Sequence, residues 1–390
     1  MCYPALGAND LPVVNRFFRF QPRYLSQLRW AFQSEEIMKK SIKKFEGRPW
    51  RLARGDKEVV VLPISLIPEL NKLPSSITNS RVDMDVVRIT DHHVKILLSR
   101  VSPAIPQLLQ PTAQRTEETI KRLFPQDSDE WTVTEPLKII VECVSEGIAL
   151  ALVGPEISKR PHFFSQPHPN LLSFIVKDER NTVDGDPHLL SKLVAAVAAG
   201  STYSTANLVT EIAEQHKKCS GNWDQAAFNS LDKLESAMKE TSRLAPSSLI
   251  VCGRNIHQDH TLSNGLLLKK GDSIGVAYFS KSMDPRVFNN PEIYNGKRFY
   301  DSGIEELRAR PFRGISGEIL TWGAGRYACP GRYIANLAAK VTLVKVIDEY
   351  DFKFIEDKLP RNVILHDFKF IHPESKLLMR PRDKTLGIRY

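Results

Sequence analysis

The spacing of hydrophobic residues along the chain is mostly helical, with apolar positions recurring three or four residues apart. The segment Glu135–Leu152 is apolar around much of its circumference, which predicts a buried helix. A final helix is expected to begin at Pro330 and to end near Glu349. The other predicted helices are Gln33–Lys44, Asp91–Arg100, Thr112–Leu123, Leu189–Gln215 and Gln225–Leu244.

Short runs rich in β-forming residues lie between the helices, and two of them flank Gly55-Asp56, a dipeptide typical of hairpin turns. Similar runs occupy residues 247–256, 265–279, 351–355 and 363–380. Because strands and helices do not alternate regularly, we do not expect a Rossmann-type fold. The pattern predicts a mainly α protein with small antiparallel β-sheets, an α+β arrangement.

Composition narrows the class of protein only slightly. The 390 residues are 42% hydrophobic and 25% charged, as in ordinary globular proteins, and the net charge of +9 comes without a nucleic-acid-binding signature. Five scattered cysteines without a CxxC pair indicate a reducing, intracellular compartment. No apolar run of about 18 residues occurs, so we expect no transmembrane anchor in this chain.

One of the cysteines lies in a distinctive loop, Trp322 to Gly331, with the sequence WGAGRYACPG. Cys329 precedes Pro330 at the expected start of a helix, where the positive end of the helix dipole favours a thiolate. Gly323 and Gly325 permit unusual backbone angles and the close approach of a bulky group. From the residues alone, a buried structural cysteine beside a tight turn stays an open alternative.

This loop resembles the haem-binding loop of the cytochrome P-450 family. The resemblance implies haem b (iron protoporphyrin IX) as the cofactor, with Cys329 as the axial ligand of the iron. It also implies that Arg326 pairs with a haem propionate and that Gly325 and Gly331 leave room for the cofactor. Trp322 departs from the family pattern, which usually has Phe at this position.

Three further residues match the family's structural charge network. Glu240 and Arg243 form the family's Glu-x-x-Arg motif, and residues three apart share one face of a helix. Arg298 lies in a segment that resembles the family's Asp-Pro and Arg-Phe region, and it would complete the network. Arg254 matches the position of a second propionate partner.

The long central helix resembles the family's oxygen-binding groove over Ala198–Thr202. The resemblance implies that Thr202 steadies bound dioxygen and relays protons. Ser201 stands where the family often has an acid, and Ala199 stands where it usually has Gly. In the alternative interpretation, these hydroxyls bond back to the preceding helical turn.

The resemblance covers most of the chain and implies a single domain over residues 1–390. Residues 189–390 would form the haem-binding half. Residues 1–188 would be divergent and shortened, with a reduced roof over the substrate pocket, because Leu73–Val101 and Glu156–Leu189 are too short for the family's usual elements.

The implied function is that of a monooxygenase, an oxidoreductase that uses electrons from an NADPH-dependent flavoprotein reductase. The N-terminal segments, such as FEGRPWRLARGDKEVVVLP, resemble fungal microsomal members, which implies a lipophilic, terpenoid-like secondary metabolite as substrate and a location at the endoplasmic reticulum membrane surface. Two alternatives stay open: a degenerate haem-binding relative without activity, and a haem-thiolate isomerase that needs no reductase.

Overall fold

The fold is taken from a computed structural model that describes most of the chain. The described residues are 7–18, 20–55, 57–80, 97–127, 130–158, 201–301, 310–315, 317–355, 362–372 and 374–390. The first part of the predicted central helix and most of the predicted helix Asp91–Arg100 lie outside these ranges.

Within the described ranges, helices account for most of the regular structure, as the sequence pattern predicts. The α-helices are α1 (Arg23–Phe45), α2 (Ile67–Lys72), α3 (Ile105–Leu123), α4 (Pro136–Ser158), α5 (Ser201–Lys218), α6 (Gln225–Asn229), α7 (Asp232–Leu244), α8 (Phe279–Ser282) and α9 (Arg332–Glu349). Helix α1 begins ten residues before the predicted start and has a kink at Gln33.

The prediction of one continuous helix over Gln225–Leu244 is wrong, because the structure has two helices there. Asp224 caps the first, its carboxylate accepting a hydrogen bond from the Ala227 amide at 2.8 Å. Leu231 is not helical and separates the two. The second helix, α7, is capped from another helix: the Glu211 carboxylate accepts hydrogen bonds from the backbone amides of Lys233 and Leu234 at 2.6 and 2.9 Å.

The strands form four small sheets. They are β1 (Val13–Val14), β2 (Trp50–Ala53), β3 (Glu58–Leu62), β4 (Thr78–Ser80), β5 (Thr132–Thr134), β6 (Ile250–Ile256), β7 (His260–Thr261), β8 (Leu267–Leu268), β9 (Ser273–Ala277), β10 (Tyr350–Phe354), β11 (Asn362–Leu365), β12 (Phe368–Ile371) and β13 (Leu377–Pro381). The largest sheet has the order β1-β2-β3-β9-β6-β4 and is mixed, since β1–β2 and β3–β9 are parallel pairs.

The described residues form three hydrophobic cores, and two of them contact the cysteine loop. The helical core packs α3, α4, α5 and α7 around α9, which is buried on nearly all sides. The second core packs α1 against the six-stranded sheet. A buried Asp367 ties the β11–β12 hairpin to this second core, because it accepts a hydrogen bond from Trp30 Nε1 at 2.8 Å and pairs with Arg54 at 2.8 Å.

The cysteine loop lies where the two cores meet. Trp322 belongs to the helical core, whereas Leu320 and Ala324 belong to the core around the sheet. Near the other end, Cys329 packs against the helical core, so apolar packing fixes both ends of the loop, which leads directly into α9. Among the described residues, no helix is both long and hydrophobic enough to cross a membrane.

Glu211 makes the stability of the helical core depend on pH. Burial raises the pKa of Glu211 to about 7, although the two backbone amides that it caps act in the opposite direction. The folded protein thus holds this proton more tightly than the unfolded chain does. The stabilising contribution is complete below the ordinary carboxyl pKa and is lost as the pH rises through about 7.

We therefore expect the free energy of unfolding to fall between pH 5 and pH 8, by up to about 3 kcal/mol from this group. Glu211→Gln should remove that part of the slope. Glu214→Gln, at an exposed position of the same helix, is the control. Denaturant unfolding at several pH values measures the free energy of unfolding of both variants and of the wild type. An equal dependence of this free energy on pH in the wild type and in Glu211→Gln would contradict the prediction.

Candidate functional site

The backbone of the cysteine loop is held in an unusual conformation. The Cys329 amide donates a hydrogen bond to the Trp322 carbonyl at 2.8 Å, which closes the loop. Gly323 and Gly325 both have positive φ, at +73° and +61°. A Cβ atom on Gly325 would collide with the side-chain amide of Asn71 in α2, which would have to move, and the left-handed backbone at this position favours glycine.

Cys329 is half-buried and packs against the edge of the helical core. The following helix begins at Arg332, two residues later than predicted, with Gly331 as its N-cap. The reason is that the helical hydrogen bonds begin with the Gly331 carbonyl, which accepts a hydrogen bond from the Ala335 amide at 3.0 Å. The Arg332 guanidinium donates to the Cys329 carbonyl at 2.7 Å, which joins the loop to the first turn of α9.

Two arginines contact the aromatic ring of Tyr327 in this loop. The guanidinium carbons of Arg254 and Arg326 lie 4.1 and 4.7 Å from the centre of the Tyr327 ring. Arg254 is only 3% exposed. It follows an irregularity in β6 at Cys252, which has a positive φ of 54° and shifts the strand register.

The arginine pair lacks a compensating carboxylate among the described residues. None of the ion pairs found there involves Arg254 or Arg326, and the buried Arg254 Nε has no hydrogen-bond partner in those residues. Arg254 makes only neutral contacts, with the Gly253 carbonyl at 3.0 Å and Asn71 Oδ1 at 3.4 Å. Burial, with repulsion from Arg326, lowers the pKa of Arg254. Such a pair is suited to binding an external group that carries negative charge.

These features fit a haem. The sulfur of Cys329 would serve as the iron ligand, and the two guanidiniums would pair with the propionate carboxylates. The unpartnered Arg254 Nε is the observation that supports this fit most directly, because a buried donor of this kind is costly unless something accepts its hydrogen bond.

The structure brings Glu240, Arg243 and Arg298 together in one buried network. The Glu240 carboxylate accepts two hydrogen bonds from Arg243, both at 2.8 Å, and is 3.0 Å from Arg298 Nε. Glu240 and Arg243 are completely buried. Arg243 also donates to the carbonyls of Ser282 and Pro291, both at 2.7 Å. The network thus fastens α7 to the chain between α8 and Arg298.

The predicted oxygen-binding residues are only partly described. Ser201 and Thr202 lie in the first turn of α5, but their side chains lie outside the described residues, as does Ala199 altogether. The role assigned to Thr202 and Ser201 therefore stays a prediction.

Sequence reasoning missed several residues that shape the site. Tyr327 supports both arginines, and Asn71 fills the space beside Gly325. Glu235 of α7 and Lys340 of α9 form a buried ion pair near the loop. Only Tyr327 could have been suspected, from its place between Arg326 and Cys329; the others are far from the loop in sequence and carry no local motif.

Comparison with known proteins agrees with this geometry. The family model described as Cytochrome P450 matches residues 205–380, a range that includes the cysteine loop and the charge network. The curated relatives include a cytochrome P450 monooxygenase, terK, of Tolypocladium album, which is 23% identical over 97% of this chain and 91% of its own length. Ent-kaurene oxidase P450-4 of Gibberella fujikuroi is 22% identical over 95% of this chain and 92% of its own length.

A third relative, pyrichalasin C-7 hydroxylase of Pyricularia grisea, is 34% identical over 140 residues, which are 36% of this chain and 28% of the relative. The alignment with the Tolypocladium protein runs over 484 positions although the chain has 390 residues, so that relative has segments with no counterpart here. These matches show that residues 205–380 resemble the cytochrome P450 family and that the chain is similar to cytochrome P450 monooxygenases over most of its length.

Proposed function

We propose that this protein is a cytochrome P450 that inserts one atom of dioxygen into a C–H bond of a lipophilic, terpenoid-like secondary metabolite, the second oxygen atom leaving as water. The electrons come from NADPH through a flavoprotein reductase. The observation that carries the proposal is the half-buried Cys329 near Arg254 and Arg326, which form no ion pair with a carboxylate among the described residues. The name of one relative, an ent-kaurene oxidase, supports a terpenoid hydrocarbon as the substrate class.

Each residue has a distinct role in this proposal. When bound, the haem supplies the oxygen chemistry, and a thiolate ligand favours O–O cleavage. Cys329 holds the cofactor at the iron, whereas Arg254 and Arg326 bind the propionates. Thr202 relays protons, and Ser201 stands where the family often has an acid. The rest of the protein orients the substrate and excludes water.

We also propose that residues 1–390 fold as one domain, with 189–390 as the haem-binding half and 1–188 as a shortened half. The six-stranded sheet supports this, since it pairs β3 of the first half with β9 of the second. The alignment with the Tolypocladium relative runs over 484 positions against 390 residues here, which supports a chain shortened relative to that protein.

The reductase is proposed to dock on the basic surface around the cysteine loop. Arg310, Arg313, Arg326 and Arg332 of this region belong to the described residues and are at least partly exposed. Such a surface attracts an acidic partner and speeds association at low salt.

We expect the consumption of NADPH and dioxygen to be coupled to the formation of a hydroxylated product. With a fungal NADPH–cytochrome P450 reductase and ent-kaurene as the first probe, one NADPH and one dioxygen should be consumed for each hydroxylated product. Cys329→Ser should abolish product formation, because the iron loses its ligand, whereas Cys219→Ser at a half-buried site elsewhere should keep it. Oxygen uptake, NADPH oxidation and product are measured together.

Two results would contradict the proposal and favour another function. NADPH oxidation that yields no hydroxylated product across a terpenoid panel would favour a degenerate haem protein. Turnover of an organic peroxide without any reductase would favour the isomerase.

A location at a membrane surface is supported by an exposed aromatic patch at the start of α1. This patch consists of Phe17, Phe18, Phe20, Tyr24, Leu28 and Phe32. Phe20 is 87% exposed and Phe32 is 71% exposed, far more than a monomeric soluble surface normally allows in one place. The sequence contains no acidic residue between Asp10 and Glu35 but four arginines. Aromatic rings with arginines suit an interface with anionic lipid headgroups.

We expect the double variant Phe20→Ser/Phe32→Ser to reduce binding to phosphatidylserine-containing vesicles at least about tenfold. The reason is that the two exposed rings no longer insert into the membrane–water interface. Val133→Ser, another exposed apolar position, is the control. Co-sedimentation with anionic and neutral vesicles measures the effect. Equal binding of the double variant and wild type would exclude this patch as the contact surface.

A further inference from the structure

A buried ion pair joins the Glu-x-x-Arg helix to the helix that follows the cysteine. Lys340 of α9 pairs with Glu235 of α7 and also donates to the Phe228 carbonyl at 2.8 Å. Lys340 is 1% exposed and Glu235 is 7% exposed. A pair so deeply buried is costly to desolvate, and packing α7 against α9 could be achieved by apolar residues at lower cost.

The second carboxylate oxygen of Glu235 links this ion pair to the chain segment next to the cysteine loop. It accepts a hydrogen bond from the backbone amide of Phe312, the residue where the chain approaches the loop. The Phe312 carbonyl in turn accepts a hydrogen bond from Trp322 Nε1 at 2.6 Å, and the two rings meet edge to face at 5.3 Å. Phe312 and Trp322 are both buried.

The last hydrogen bond of the series joins Trp322 to Cys329, the proposed iron ligand. The Trp322 carbonyl accepts the hydrogen bond from the Cys329 amide that closes the loop, at 2.8 Å. A continuous path of hydrogen bonds therefore runs from Lys340 through Glu235, Phe312 and Trp322 to Cys329. The indole N–H of Trp322 is essential to it, because a phenyl ring at this position has no donor for the Phe312 carbonyl.

We propose that Glu235 and Lys340 are positioning residues that fix the Cys329 loop from behind, through Phe312 and Trp322, and so keep the thiolate in place on the haem iron. This proposal rests on the proposed function, in which Cys329 ligates the haem. The ion pair acts as the rigid end of the path, since α7 and α9 both carry it on buried faces.

The chain offers a closely matched control on the same helix. Lys345, five residues after Lys340, is 2% exposed, pairs with Glu349 at 2.8 Å and Glu117 at 3.4 Å, and donates to the Ile388 carbonyl at 2.5 Å. These contacts lead to α3 and the C-terminal segment rather than to the cysteine loop. Loss of this pair therefore reports on helix packing alone.

The test compares the holoenzyme variants Glu235→Gln/Lys340→Met and Glu117→Gln/Lys345→Met. The measurement is the rate at which the reduced, CO-bound protein loses its thiolate Soret band in guanidinium below the unfolding midpoint. We expect the first variant to lose the band about tenfold faster than wild type, the factor expected for one buried charge-assisted hydrogen bond. The control should stay within about twofold, even if its unfolding midpoint falls equally.

A double-mutant cycle tests the path itself. In a Trp322→Phe background, the added effect of Glu235→Gln/Lys340→Met should shrink to within about twofold, since the path is already cut. Equal rates for the two ion-pair variants, or a full tenfold effect in the Trp322→Phe background, would overturn the proposal.

Two further outcomes are decisive. If Glu235→Gln/Lys340→Met does not fold, Trp322→Phe alone should still lose the band several-fold faster than wild type, and an unchanged rate would overturn the proposal. A wild-type protein that never shows a thiolate band would instead overturn the proposed function itself, and the positioning role with it.

Discussion

The geometry of the site depends on one hydrogen bond, which the Cys329 amide donates to the Trp322 carbonyl. It closes a loop whose two glycines adopt backbone angles that other residues avoid and whose flanks are packed into different hydrophobic cores. Since apolar packing holds both ends, the sulfur has a defined place relative to α9. Close to that place lie two guanidiniums whose charge no described carboxylate balances. A thiol near an excess of positive charge suits a cofactor that contains a metal ion and carries negatively charged groups.

The protein places three buried charge clusters around this loop, and each does something different. The Glu240 network is satisfied internally and fastens the Glu-x-x-Arg helix to the chain that leads toward the loop. The Glu235–Lys340 pair is likewise satisfied and lies behind the loop. The Arg254 cluster differs, because the buried Arg254 Nε has no hydrogen-bond partner within the part of the chain that the structure describes. Satisfied clusters specify structure, whereas an unsatisfied one marks the place where a ligand completes the interior.

Local chemistry explains which features could be predicted from sequence. The cysteine loop is recognisable because its glycines, proline and cysteine are contiguous, and the Glu240–Arg243 pairing follows from helical spacing alone. The break between α6 and α7 could not be predicted, because the group that caps α7 is Glu211 of a different helix. The parallel pairing of β3 with β9, which makes the main sheet mixed, and the Glu235–Lys340 pair depend on long-range contacts. Such contacts follow from tertiary packing and have no local signal.

The most direct test of the central claim is the carbon monoxide difference spectrum of the reduced, purified protein, recorded for wild type and for Cys329→Ser. We predict the strongly red-shifted Soret band of a thiolate-ligated haem in the wild type and its complete loss in the variant. A variant that keeps this band, or a wild type that binds haem only in the shorter-wavelength form, would contradict the assignment of Cys329 as the ligand.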